Sequence, residues 1–206
     1  MRCTSTRAFT LIEILVVLAI LAGLLAMVAV KLSDFTNKGQ ESKTSAQIES
    51  LKVMLEQYRN TMGDYPPCEL AALGVKAKNK TNEGCEALVL AFFDKRYDGT
   101  SKPNQSDLRN LEDDTGDVNI TTFGNNALQE IVDAWENPIV YIRRDAYERD
   151  QEYDITDTQT FEVVTVQVKA EKDENTASFW AMDSYQLRSA GSDGKLGTDD
   201  DICSYR

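Results

Sequence analysis

The residues best suited to chemistry lie near the end of the chain. The run Ser189-Ala190-Gly191-Ser192-Asp193-Gly194-Lys195-Leu196-Gly197-Thr198-Asp199-Asp200-Asp201-Ile202 sets four aspartates among three evenly spaced glycines. Glycines at 191, 194 and 197 permit a tightly folded loop with positive φ angles. Carboxylates and loop carbonyls are the oxygen donors that calcium takes, about six to eight of them at about 2.3–2.6 Å. The spacing is not that of an EF-hand, and the terminal bidentate glutamate is absent. The same composition also suits a solvated acidic turn. If the carboxylates do cluster, they repel one another without a cation, so calcium would order the loop, whereas magnesium needs a more rigid octahedral cage.

A second chemical singularity is Glu13, a carboxylate inside an otherwise apolar run that extends from Phe9 to Val30. An ionisable group at that depth of a membrane-length segment is costly and asks for a specific partner. A glutamate that snorkels to a membrane face is the plainer alternative. The chain contains no histidine, which excludes Ser-His-Asp and Cys-His catalysis and histidine-ligated zinc. Its acidic residues are numerous, but no spacing places two of them in a hydrolytic site. A formal charge of −12 argues against nucleic acid as a partner. Loss of the basic leader Met1 to Ala8 would remove Arg2 and Arg7 and make the chain more acidic still.

Of the four cysteines, Cys3 lies in the leader. Cys68 and Cys85 flank a lysine- and asparagine-rich segment, and a bridge between them would close a loop worth about 3 kcal/mol in the chain-entropy model. Two buried free thiols, or pairing that involves Cys203, are the other readings of the same residues.

These groups need elements to position them. Phe9 to Val30 is long enough to cross a hydrocarbon core of about 30 Å as a helix. A conventional secretory signal cut near Ala22-Gly23 or Ala26 is the competing interpretation. Beyond Lys31 the helix continues, with a weak spot at Thr36, Asn37 and Gly39. Ile48, Leu51, Leu55, Tyr58 and Met62 then form one apolar stripe at helical spacing. Gly63-Asp64-Tyr65-Pro66-Pro67 ends it. A short helix is expected over Glu86 to Phe93, followed by a polar surface excursion from Tyr97 to Asn119. Strands are expected at Ile139 to Ile142, Phe161 to Val168 and Ser178 to Leu187. Three antiparallel strands packed on the amphipathic helix give an α+β head.

The segment Arg7-Ala8-Phe9-Thr10-Leu11-Ile12-Glu13 resembles the class III signal of type IV pilins and pseudopilins, with Ala8 where that family usually has glycine. The resemblance implies a leader over 1–8, cleavage between Ala8 and Phe9, and methylation of the new amine at Phe9. It also implies that Glu13 meets the charged amine of a neighbouring subunit. Tyr58 to Pro66 resembles the head entry of type II secretion major pseudopilins. Asp133-Ala134-Trp135-Glu136-Asn137-Pro138 resembles their Asp-Pro-Trp-Gly-Asn-Pro signature, departing at Ala134 and Glu136, with Trp135 expected to anchor the turn against the helix. The loop at 189–202 resembles their calcium loop.

By that likeness Asp193, Asp200 and Asp201 are side-chain ligands, the carbonyl of Ala190 is a further one, and Asp199 is a ligand or an outer charge. The implied fold is pilin-like α+β: a transmembrane half-helix over 9–30, an amphipathic half over 31–63, and a head over 64–206 that is variable at about 68–130. The implied role is structural and not enzymatic. Partners would be further copies of the chain, prepilin peptidase, the inner-membrane assembly platform and minor pseudopilins. The protein would sit in the bacterial inner membrane with its head in the periplasm, then in a periplasmic filament. A type IV pilin, a minor pseudopilin or a membrane-tethered calcium-dependent binding module is the alternative.

Overall fold

The structure is a computed structural model that describes residues 11–119 and 122–205, with side chains omitted at 28–30 and 32–34. Helix α1 covers Leu11–Met62. The chain divides into two units, Met1–Gly39 and Gln40–Arg206.

In the first unit the described side chains of α1 from Leu11 to Met27 are exposed around the whole circumference and, Glu13 apart, carry no charged or polar group. Among the described residues no helix is long and apolar enough to cross a membrane. The uninterrupted described run from Leu11 to Met27 rises about 26 Å at about 1.5 Å per residue. The expected span from Phe9 to Val30 reaches beyond it at both ends. The backbone remains helical through Thr36, Asn37 and Gly39.

The second unit is built on the amphipathic stripe. Ile48, Leu51, Leu55 and Tyr58 are buried as the 3–4 spacing requires, and Thr44 extends the buried face by one turn. Met62 departs from the expectation and is 42% exposed, because it stands in the last turn just before Gly63 ends the helix. The chain after that stop is pinned to the head. Tyr141 Oη donates to the Pro66 carbonyl at 2.6 Å, and Arg143 donates to that of Tyr65 at 3.0 Å.

Helix α2, Glu83–Phe93, starts three residues earlier than expected and is buried from Gly84 onward. The strands are β1 (Leu108–Arg109), β2 (Glu130–Ile131), β3 (Val140–Arg143), β4 (Gln151–Thr156), β5 (Val163–Val168), β6 (Tyr185–Ser189) and β7 (Ile202–Cys203). All pairings between them are antiparallel, and they make three small sheets: β1-β2, β3-β6-β7 and β4-β5. The α+β class with a helix packed on small antiparallel sheets stands. The single sheet of three expected strands does not. Val163–Val168 pairs with Gln151–Thr156 instead, and the third strand beside β3 and β6 is the short β7. The expected strand from Ser178 begins only at Tyr185, since Ala177 and Ala181 take positive φ angles of 54° and 53° that break an extended run.

Two further expectations are corrected. Cys68 and Cys85 are not bridged; both are buried thiols. The Cys85 sulfur is engaged elsewhere, accepting from the Ile131 amide at 3.2 Å and donating to the Ile131 carbonyl at 3.7 Å. The stretch from Tyr97 to Asn119 is not a surface excursion throughout. It supplies β1, buries Leu108 and Asp114, and folds back so that the Lys76 and Asp117 amides are both hydrogen-bonded across the gap.

Candidate functional site

The C-terminal loop leaves β6 at Ser189 and returns at β7. Ser189 and Ala190 are fully buried, and their burial is organised by Asp133. Asp133 Oδ2 accepts from Ser189 Oγ at 2.6 Å, while its Oδ1 accepts from the amides of Trp135 at 2.8 Å and Asn137 at 3.0 Å. Burial pushes the Asp133 carboxyl upward, and these donors work against the shift. Asn137 exchanges bonds with Thr156 at the end of β4, accepting from its amide at 2.7 Å and donating to its carbonyl at 3.2 Å. Just beyond, Thr158 Oγ1 donates to the Ser192 carbonyl at 2.7 Å, and Lys195 pairs with Asp157 at 3.2 Å. The turn at 133–138 and the β4-β5 hairpin thus hold the loop from two sides.

That turn also explains one of its two departures from the pseudopilin signature, the one at Ala134. The Ala134 amide donates to Thr44 Oγ1 at 3.1 Å, a bond to α1 that a proline could not make. Gln40 donates to the Ala134 carbonyl at 3.0 Å. Glu136 has φ 65°, the left-handed region that glycine occupies freely. Trp135 is half-buried and its indole N–H is buried without a hydrogen-bond partner, while Asp133 and Asn137 supply the turn's hydrogen bonds.

Within the loop Asp200 is the central acceptor. Its Oδ2 takes the Ser192 amide at 2.6 Å, Ser192 Oγ at 2.8 Å and the Asp193 amide at 2.9 Å, and its Oδ1 takes Thr198 Oγ1 at 2.5 Å. Burial pulls the Asp200 carboxyl upward, but these donors outweigh it and leave the group below its usual range. The arrangement needs a bare backbone at Gly191, where φ is 66° and a Cβ would meet the Asp200 carbonyl at 2.3 Å. Gly194 is as constrained, its φ of 67° bringing it against the Thr156 carbonyl.

Asp201 differs. Its Oδ2 accepts the Gly197 amide at 2.8 Å, but its Oδ1 is buried with no donor. Burial pushes this carboxyl up to about 6, against the opposing Gly197 amide and Arg188. Asp193 Oδ1 accepts the Lys195 amide at 2.8 Å, and Asp199 points into solvent. The loop therefore brings Asp193, Asp200 and Asp201 into one hydrogen-bonded turn, with Asp201 offering the open oxygen a cation could take and Ala190 buried at its base. It does not draw the carboxylates of Asp193, Asp199, Asp200 and Asp201 into one tight group. Among the described residues, the acidic side chains that each place an oxygen within 4.8 Å of the others are Glu86, Glu112 and Glu130. Sequence reasoning missed these, although Glu86 stands directly before the apolar run of helix α2.

At the other end, Glu13 occupies the first turn of α1. Ala8 and Phe9, the expected cleavage and methylation positions, lie outside the described residues. Neither a curated protein nor a solved structure matches the chain. Over residues 3–29 it does match the family described as the prokaryotic N-terminal methylation motif. The chain thus carries a prepilin-type signal, which supports a place in the pilin-like superfamily.

Proposed function

We propose that the chain is a structural subunit of a type II secretion pseudopilus, of the major pseudopilin kind. The observation that carries this reading is the methylation motif over residues 3–29. The glycine-pinned acidic loop and the turn at 133–138 favour the major pseudopilin within that superfamily. The subunit would be held in the bacterial inner membrane by 9–30, with its head in the periplasm. It would be cut between Ala8 and Phe9 by prepilin peptidase and methylated at Phe9. Copies would then join through their apolar helices, with the assembly platform and minor pseudopilins, into a helical filament whose growth moves folded proteins across the outer membrane.

Glu13 has a physical role in that assembly. An unpaired carboxylate among packed apolar helices costs several kcal/mol, and a neighbouring Phe9 ammonium offsets this at one register only. The pair would set the stagger between subunits, and methylation would keep the amine charged. In the C-terminal loop, the Ala190 carbonyl with Asp193, Asp200 and Asp201 would close on calcium, Asp199 serving as a ligand or an outer charge, and the donorless Oδ1 of Asp201 supports a cation there. Bound calcium would neutralise the loop carboxylates and fix the face they form.

The test is Glu13→Ala expressed with prepilin peptidase, read by cysteine or lysine crosslinking between subunits. The reading predicts normal cleavage and a loss of filament ladders of tenfold or more. Ladders equal to those of the unaltered chain would overturn it and favour a tethered binding module.

A further inference from the structure

We propose that Glu86, Glu112 and Glu130, with Asp114 beside them, form a second calcium site that fastens the 108–116 segment to helix α2. The site is independent of the C-terminal loop. Glu86 and Glu130 are fully buried, Asp114 is 4% exposed and Glu112 is half-buried. They come from three places in the chain: Glu86 from α2, Glu112 and Asp114 from the turn after β1, and Glu130 from β2.

The second observation is the state of the oxygens. Both oxygens of Glu86, both of Asp114, Glu112 Oε2 and Glu130 Oε1 are buried with no hydrogen-bond donor. The remaining two are held in place from outside the cluster. Asn82 donates to Glu112 Oε1, and the Leu111 amide donates to Glu130 Oε2 at 3.0 Å. Among the described residues none of the four carboxylates takes part in an ion pair. The amino end of α2 offers about half a positive charge, far less than the cluster carries. A buried group of carboxylates with inward-facing bare oxygens is what a cation site looks like before the cation is added.

The donor set selects the ion. It is all oxygen, with no histidine or thiol among the grouped residues, which suits a hard cation. Ligands on opposite sides of one calcium stand up to about 5 Å apart, given bonds of about 2.3–2.6 Å. The mutual spacing of 4.8 Å or less meets that limit. Several bare oxygens approach calcium's requirement of about six to eight, whereas magnesium keeps waters that a buried site does not favour. Without a cation, burial and then the neighbouring carboxylates push Glu86 up to about 10. Protons shared between carboxyl pairs are therefore the rival occupant, with Asp114 in reach of Glu86.

The experiment is hydrogen–deuterium exchange on the full chain in detergent, in chelator, in calcium and in magnesium. The chains are the unaltered protein, Glu86→Gln, Glu130→Gln and Asp201→Asn. Calcium should slow exchange over 108–116 at least tenfold in the unaltered chain and in Asp201→Asn, with no such slowing in either glutamine variant. Glu130→Gln poses the question from a different element, so misfolding of one glutamine variant leaves the other as the test. An unaltered chain that does not respond to calcium, or glutamine variants that respond as it does, would show that the cluster holds protons alone and overturn the site. An equal response to magnesium would overturn the calcium assignment.

Discussion

Ser189 Oγ donates a 2.6 Å hydrogen bond to Oδ2 of Asp133, joining the root of the C-terminal loop to the turn on which the second unit's stretch of α1 rests. The two residues are 56 positions apart and both are buried, so the bond is tertiary and shielded from water. Asp133→Ala strands the Ser189 hydroxyl and the Trp135 and Asn137 amides together, and should cost about 3–4 kcal/mol. Ser189→Ala removes one donor of the three and should cost about 1–2 kcal/mol. At about 2–4 °C per kcal/mol, thermal unfolding separates the two variants readily. Equal losses would mean that the Asp133 amide bonds contribute nothing.

Glu136 stands at a left-handed backbone position where the resembling signature has glycine. A non-glycine residue there costs about 1–2 kcal/mol. Its ion pair with Arg109, at 3.1 Å between largely exposed groups, returns little. Glu136→Gly should therefore stabilise the chain by about 0.5–1 kcal/mol, after allowing for the greater freedom of glycine in the unfolded chain. Urea unfolding measures it, and a loss of stability would show that the Arg109 pair outweighs the backbone cost.

The buried glutamates give a pH dependence with a defined sign. Burial and neighbouring carboxylates raise Glu86 to about 10, and burial with Glu112 raises Glu130 to about 9. Both sit above their unfolded value of about 4.3, so the folded chain binds more protons than the unfolded one. Their contribution is complete below that unfolded value and is lost as pH rises towards the folded ones. Asp94 and Asp145, whose pKa values are lowered, act with the opposite sign but only in acid. In chelator, stability should thus fall between pH 6 and pH 9, and Glu86→Gln should flatten the slope. A stability that rises across that window would contradict the buried placement.

Cys68 and Cys85 are both buried, and burial raises both thiols above their ordinary value. Alkylation of the native, unreduced chain should leave both unmodified, and denaturant alone should expose both. A mass change of two hydrogens on reduction would instead establish the bridge.

Much of the scaffold was legible because it follows from spacing. The stripe from Ile48 to Tyr58 and the stop at Gly63 needed only the period of a helix and a residue that ends it. Of the β4-β5 hairpin, β5 lies within the expected Phe161 to Val168, but β4 was harder to read. Gln151-Glu152-Tyr153-Asp154-Ile155-Thr156 buries only Tyr153 and Ile155, so it has no strong apolar signature. The C-terminal glycines and aspartates announced a tight acidic loop, but not that Asp200 would spend its oxygens on Ser192, Asp193 and Thr198. The middle of the chain misled most. Its polar composition suggested solvent, while the fold turns Glu112 and Asp114 inward towards Glu86, a juxtaposition that only tertiary structure creates.

The most direct test of the central claim is the identity of the mature amino terminus in membrane-extracted protein, by intact mass and terminal peptide sequencing. The account predicts a chain that begins at Phe9 with a methylated amine. A chain that still begins at Met1, or one cut beyond the apolar run, would contradict it.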